Sequence, residues 1–438
     1  MNNRTLLVAT LLVLCFAAGA SAVEPTSVLF KDVRIFDGVD ATLLRANLLV
    51  EGEKISKISA TPIAPPSGAT VIEGHGRILS PGFIDLHSHL TFQAPKDESE
   101  LHPFAVGAIA GKAAEHYLMS GFTTIRDAGG THPDIARIIE RGAIEGPRVF
   151  PSGAVITQTS GHGDFRDRDD PNPTLCGCGV GHTLGSGHAI IADGTAQWLA
   201  ATRENLKHGA TQIKIMGGGG VASDYDPIHT LQPAPEEIRA AVQAASDWGT
   251  YVMAHSYTAE AIRRLVDNGV KVIEHGLLID DETARLCAEK GVVISTQVKI
   301  FRMGADLPGM SEENMRKMLQ VQAGQDNLME LVKKYDLTIG FGTDFVFGMY
   351  GRVSEEFTAR AQYFSPAEIL RQATSESAKV IRMAGKLNRY DNFGEIREGW
   401  LADLVLIEGD PFEDISILER PDESVALVMK AGRIVKQH

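Results

Sequence analysis

The sequence predicts an α/β protein: a (β/α)8 TIM barrel carrying a small β-sandwich domain assembled from both ends of the chain. Three observations predict it. Between residues 81 and 390, eight short apolar runs alternate with amphipathic stretches, the order expected of βα units around a parallel sheet. Residues 23–80 and 391–438 share a different texture, alternating runs broken by Gly, Asp and Pro, which is the pattern of antiparallel strands. Histidines, a lysine and an aspartate end several of the middle runs, where a barrel of this kind gathers its reactive groups.

The first 22 residues, MNNRTLLVATLLVLCFAAGASA, combine Arg4, an apolar run from Leu6 to Ala18 and the small-residue site Ala20-Ser21-Ala22. They read as a secretory signal cleaved after Ala22, since the apolar run is too short for a membrane span. Leu14, before Cys15, is too large for a lipoprotein site. The mature protein is therefore expected to be exported, periplasmic or secreted. Arg4 is the only charged side chain removed, so cleavage moves the formal net charge from −14 to −15. An acidic chain gains nothing from counterion release on a polyanion, which argues against nucleic acid as a partner. No basic amphipathic segment marks a membrane surface.

Residues 23–80 supply the first part of the sandwich, with strands in VLFKDVRIF and ANLLVEGEKISKI; residues 391–438 supply the second, in GEIREGWLADLVLIEGD and SVALVMKAGRIVKQH. The eight barrel strands are GFIDLHSHL, GFTTIRDAG, RVFPSGAVIT, ATQIKIMG, YVMAHSY, VKVIEHG, VVISTQV and LTIGFGTDF. One connecting helix is legible throughout. In TAEAIRRLVDNG, Thr258 caps the first turn, Ala261, Ile262, Leu265 and Val266 form one apolar stripe, and Gly269 stops it. The mature cysteines, Cys176, Cys178 and Cys287, are too few for a disulfide framework. CGCGVGHTLGSGH reads as a Gly-rich loop, because Cys-x-Cys is not a zinc spacing; a local disulfide there would be strained.

His87 and His89 end the first barrel strand, Lys214 the fourth, His255 the fifth, His275 the sixth and Asp344 the eighth. Alternate residues share a face, so His87 and His89 can offer two nitrogens to one ion while Ser88 points elsewhere. Neutral imidazole and carboxylate suit zinc, and manganese, cobalt or iron can occupy similar sites. Lys214 is the odd member, since an ammonium repels a cation and is costly within QIKIM. As a carbamate formed with carbon dioxide it would offer two oxygens able to bridge two metals; as an ammonium it would pair with Asp344 or a substrate carboxylate.

In SGHGDFRDRDD, His162 is the candidate donor to a carbonyl oxygen or substrate carboxylate. Tyr257, two residues past His255, shares its face and can also bind a carboxylate. MGGGGVASDYDP lacks the Lys-Ser/Thr of a phosphate loop, so it reads as backbone approaching the site, with a flexible lid beyond. Arg126 and Asp127, in TTIRDAGG, read as a buried structural pair.

In that order, FIDLHSH, QIKIMGG, MAHS, IEHG and GTDF resemble the amidohydrolase superfamily, and with the tail GEIREGWLADLVLIEGDP the resemblance covers nearly all of the mature chain. It implies that His87, His89 and Asp344 bind the more buried of two divalent metals, His255 and His275 the second, and carboxylated Lys214 both. Asp344 would also carry the proton released as a shared hydroxide attacks. Within the superfamily, PGFIDLHSH, GFTTIRDAGG, SGHGD and KIMGGGGV look most like the exported metallo-dipeptidases and carboxypeptidases of the prolidase-like and imidazolonepropionase-like group, and their ochratoxin A-hydrolysing relatives. The implied activity is hydrolysis of an amide that releases a C-terminal α-amino acid, with an apolar residue such as phenylalanine preferred, by a homo-oligomer such as an octamer. A cyclic-amide hydrolase or deaminase on the same barrel is the alternative. Lys214 speaks against deaminases, which generally use one metal and lack this lysine, and a non-catalytic scaffold would be expected to have lost ligands.

Overall fold

The computed structural model describes residues 27–94, 101–177, 187–304, 307, 310–390 and 392–438. Five strands come first: β1 (Ser27–Ile35), β2 (Leu44–Glu51), β3 (Lys54–Ser59), β4 (Thr70–Glu73) and β5 (Ile78–Pro81). The middle of the chain carries β6 (Phe83–Ser88), β7 (Phe122–Asp127), β8 (Arg148–Phe150), β9 (Val155–Thr157), β10 (Ala189–Ile191), β11 (Ile213–Met216), β12 (Val252–Thr258), β13 (Val272–Leu278), β14 (Val293–Thr296) and β15 (Ile339–Phe341). β16 (Leu404–Ile407), β17 (Val425–Lys430) and β18 (Arg433–Gln437) end it.

Both chain ends enter one sheet, ordered β18-β17-β16-β5-β1-β2-β3, with β4 also on β1. The joint is β5 against β16, antiparallel, with Leu79 opposite Leu406 and Pro81 opposite Leu404. Because those two strands pair edge to edge, the strands expected of a sandwich form one continuous sheet. Its alternating apolar residues, among them Phe30, Leu48, Val50, Leu404, Leu427 and Met429, build a core separate from that of the middle segment. Arg148 on β8 and Asp403 beside β16, both buried, form an ion pair that ties this sheet to the rest.

The middle strands are parallel and fall in two sheets, β6-β7-β8 and β10-β9-β11-β12-β13-β14-β15. The sheets are linked along both margins. Beyond β15, Asp344 N–H donates to His87 O (2.8 Å) and Thr343 Oγ1 to Asp85 Oδ2 (2.6 Å). Before β11, Thr211 N–H donates to Pro151 O (2.8 Å) and Gln212 Nε2 to Phe150 O (2.8 Å). The run RVFPSGAVIT, expected as one strand, divides into β8 and β9. Pro151 has no N–H for a ladder and Gly153 takes φ +71°, so the chain steps between sheets there. The three-residue β10 beside β9 was not anticipated.

Alternation along these strands sorts side chains onto two faces. Val252, Ala254, Ile273 and Ile294 join the main core with helical residues such as Ile238, Ile262 and Leu265. Met253, Val272 and Val293 join Ile84 and Leu86 in a smaller core on the other face. Two residues further along, that face carries His255, Glu274 and Ser295, so polar groups stand on an apolar floor. Helix Ala259–Asp267 forms as read: the Thr258 side chain accepts from Ala261 N–H, the four stripe residues are buried, and Gly269 has φ +97°.

Cys176 is disulfide-bonded at the end of the short helix Pro173–Cys176. Cys178 and residues 1–22, expected as a secretory signal, lie outside the described residues. Cys287 is free and buried. No helix among the described residues is long and apolar enough to cross a membrane.

Candidate metal centre

On β6, Ile84 and Leu86 already face the apolar floor, so strict alternation would turn His87 away from it. The ladder to β7 slips between Asp85 and Ser88, and such a bulge re-aims the side chains that follow. His87 Nε2 and His89 Nε2 consequently stand 3.2 Å and 3.1 Å from one oxygen, Oδ1 of Asp344. Ser88 points elsewhere, donating to Arg126 O at 3.2 Å.

β13 uses another device. Val272 and Glu274 share the floor face, but His275 takes φ +73° and Gly276 φ +74°, which swings the imidazole into the same space. Asp344 has φ +57°. Non-glycine residues in the left-handed region cost about 1–3 kcal/mol each and concentrate at functional sites. The ligand atoms of His87, His275 and Asp344 all lie within 4.8 Å of one another. His255 packs its ring on His275, centroids 4.6 Å apart.

Each imidazole is oriented through one of its nitrogens. His87 Nδ1–H donates to Glu274 Oε2 (2.7 Å), His89 Nδ1–H to Gly129 O (2.8 Å) and His275 Nδ1–H to Gln297 Oε1 (2.7 Å). His255 differs, donating from Nε2 to Gly219 O at 3.2 Å. One nitrogen of each ring remains for a ligand, the arrangement that fixes metal-binding histidines. A buried set of imidazoles around a carboxylate fits a divalent cation.

The charges agree. Burial alone would raise the Asp344 carboxyl, but His87, His89 and His275 hold it well below the usual range, so it is ionised at neutral pH. Burial, against the pull of Asp344, takes His275 down to about 3. His255 falls well below its ordinary value through burial and then through His162 and His275. His87 rises, because Asp344 and Glu274 outweigh burial. Lys214, 2% exposed on β11, is lowered by burial against the opposing fields of Glu274 and Asp344.

Glu274, Arg126 and Gln297 complete the arrangement without having been singled out as site residues. Arg126 does not pair with Asp127, as had been expected. Neighbours on a strand face opposite ways, so Arg126 Nη2 reaches Glu274 Oε1 (2.5 Å) while Asp127 accepts from Gly129 N–H (2.9 Å). Glu274 thus joins a buried guanidinium to His87. Its position two residues past Val272 was the available signal.

His162 lies beside His255, ring centroids 4.2 Å apart, with Nδ1 2.6 Å from Ser223 Oγ. Tyr257, 4% exposed, brings its ring 4.8 Å from His255 and 5.1 Å from His275, where the ladder to β13 slips between Ser256 and Thr258. The glycine run is a packing requirement: a Cβ on Gly219 would sit 2.0 Å from Pro227 O, and one on Gly220 1.9 Å from His162 Nδ1. The segment beyond, expected as a flexible lid, is held in place. Gly220 N–H donates to Asp226 Oδ2 (2.7 Å), and the Lys317 ammonium donates to three of its carbonyls.

Residues 78–435 match the model of the amidohydrolase family. An ochratoxinase from Aspergillus niger is 29% identical over 371 residues, 82% of this chain and 76% of that one. A prolidase solved with N-methylphosphonate-L-proline superposes with a TM-score of 0.86 at 34% identity, covering 94% of this chain and 100% of the other. A Xaa-Pro dipeptidase with bound methionine gives 0.82 at 28% identity, again covering 94% and 100%. With most of its length inside that family match, the chain belongs to the amidohydrolase family and is a hydrolase of amide bonds.

Proposed function

We propose that the protein releases a C-terminal α-amino acid from peptidyl or N-acyl amino acids, with two divalent metals, zinc being the expected ion. The observation that carries this is the set of buried imidazoles, each fixed through one nitrogen, around the ionised Asp344. In this reading His87, His89 and Asp344 would hold one metal, His255 and His275 the other, and Lys214, as a carbamate, would supply oxygen ligands to the pair. Burial favours the neutral amine of Lys214, the form that combines with carbon dioxide. The two parallel sheets, linked along both margins, are read as the wall of one (β/α)8 barrel spanning residues 81–390, with residues 23–80 and 391–438 as its companion domain.

Divalent metals supply Lewis acidity, making water acidic near neutral pH and polarising a carbonyl. Asp344 accepts the proton shed by the attacking water and returns it to the leaving nitrogen. With Ser223 Oγ–H donating to Nδ1, His162 keeps Nε2–H to donate to the carbonyl oxygen or the substrate carboxylate. The Tyr257 hydroxyl is a second donor to that carboxylate. Phe92, with ring centroids 5.5 Å from His89 and 5.8 Å from Phe165, and Phe301, 5.5 Å from His275, offer apolar walls to a residue such as phenylalanine. The relatives named prolidase, Xaa-Pro dipeptidase and ochratoxinase support an amide substrate of this kind. Export through the signal-like residues 1–22 and assembly as a homo-oligomer belong to the same proposal.

Dipeptides, N-acyl amino acids and ochratoxin A incubated with metal-reconstituted protein test it. Free amino acid should appear with the wild type and fall by about 10²–10⁴-fold with Asp344→Asn. Cleavage of cyclic imides or lactones with no amide cleaved would overturn it.

A further inference from the structure

Lys317 is 4% exposed, and the mechanism above does not use it. It projects from helix Glu312–Gln322 onto the segment that follows β11. Its Nζ donates to Ser223 O (2.7 Å), Asp226 O (3.0 Å) and Gly220 O (3.2 Å), and lies 3.8 Å from Asp226 Oδ1. An ammonium has three N–H donors and no acceptor, so three carbonyls saturate it while the carboxylate offsets its charge. A buried lysine is rare unless its charge and all its protons are met.

The segment gathered in this way is the one that holds His162. Ser223 Oγ is 2.6 Å from His162 Nδ1, and Asp226 Oδ2 is 3.7 Å from the same nitrogen. Asp226 Oδ2 also accepts from Gly220 N–H at 2.7 Å, fixing the backbone that passes directly against the imidazole. From the other side, His162 N–H donates to Gln232 Oε1 at 2.9 Å. The ring is confined at Nδ1 by the segment and on its face by His255, 4.2 Å away between centroids. Among the described residues no hydrogen bond is made to Nε2, so that nitrogen remains for a substrate oxygen.

We propose that Lys317 is a positioning residue: by drawing together the carbonyls of Gly220, Ser223 and Asp226 it sets the plane of the His162 imidazole, and so the line along which His162 meets a substrate oxygen. The proposal rests on the role given to His162 above. No titration is involved, because Lys317 acts through fixed hydrogen bonds. A displacement of about 1 Å at such a donor costs on the order of 10²-fold in rate.

The test is a double-mutant cycle on the metal-loaded protein with an N-acyl-L-phenylalanine or dipeptide substrate, comparing Lys317→Met, His162→Asn and the double variant, with metal content and Tm recorded for each. If Lys317 acts through His162, each single change lowers kcat/KM by about 10–100-fold and the double variant is no slower than His162→Asn alone. Lys317→Arg, which keeps a cation and several donors, should recover most of the loss, and metal content should not change. Multiplying losses in the double variant, or Lys317→Met within twofold of wild type, would overturn the proposal. His162→Asn within twofold of wild type would instead remove the role assigned to His162 and the positioning inference with it. If Lys317→Met does not fold, Lys317→Gln, which retains a donor, supplies the same cycle.

Discussion

Replacing Glu274 by glutamine removes one buried charge and almost no volume. Glu274 and Arg126 are both fully buried, and the carboxylate takes a hydrogen bond from Arg126 Nη2 on one oxygen and from His87 Nδ1–H on the other. Burial opposes ionisation, yet Arg126 and His87 hold Glu274 far below the usual carboxylate range, so the charged form is the native one. Glutamine can satisfy one of these donors but sets its own NH2 against the other, and the guanidinium loses its counter-charge. Breaking a buried pair from one side costs about 3–5 kcal/mol. With an unfolding entropy of about 2.1 cal/mol/K per residue over 438 residues, that corresponds to a fall of roughly 3–5 °C in Tm. A residue holding a metal-binding histidine typically contributes about 10–100-fold to metal affinity, and this second effect separates Glu274 from an ordinary core pair. Calorimetry and competitive metal titration of Glu274→Gln measure both. Metal affinity within twofold of wild type together with an unchanged Tm would mean that Glu274 neither holds His87 nor balances Arg126.

Other consequences are as specific. Gly220→Ala places a methyl 1.9 Å from His162 Nδ1, so kcat/KM should fall by about 10²-fold with metal content unchanged; a wild-type rate would contradict the packing. Cys287 is free and buried, with its thiol pushed up to about 12, so at pH 8 it should react with a thiol reagent only as fast as the chain unfolds. Rapid labelling of Cys287 in the native protein would contradict that burial. Arg148→Met leaves Asp403 buried without its ion-pair partner between β8 and the terminal sheet, at about 3–5 kcal/mol. Tm should drop while KM stays constant, and a shift in KM would mean that this joint also shapes the site.

Much of this site was legible because period-two alternation and strand-end chemistry are local properties. Thr258 to Gly269 formed the helix their spacing describes, and His87, His89, His275 and Asp344 converge as their places at strand ends suggest. What escaped was set by long-range packing. Alternation alone would have placed Glu274 on the site face ahead of its neighbour His275; the left-handed turn at His275 and Gly276 brings both in. Arg126 finds its partner 148 residues away, so a reading confined to neighbours paired it wrongly. The division of RVFPSGAVIT was visible in Pro151 and Gly153, but which sheet each half would join was not. Lys317 lay in an amphipathic helix where a lysine ordinarily faces water, and only the packed segment at Gly220 to Asp226 makes it a buried clamp.

The proposed function requires His87, His89, Lys214, His255, His275 and Asp344 to act as one ligand set for two ions. Elemental analysis of protein reconstituted with zinc and dialysed against metal-free buffer measures this directly. Two metals per chain are expected; one or none would overturn the proposed binuclear site.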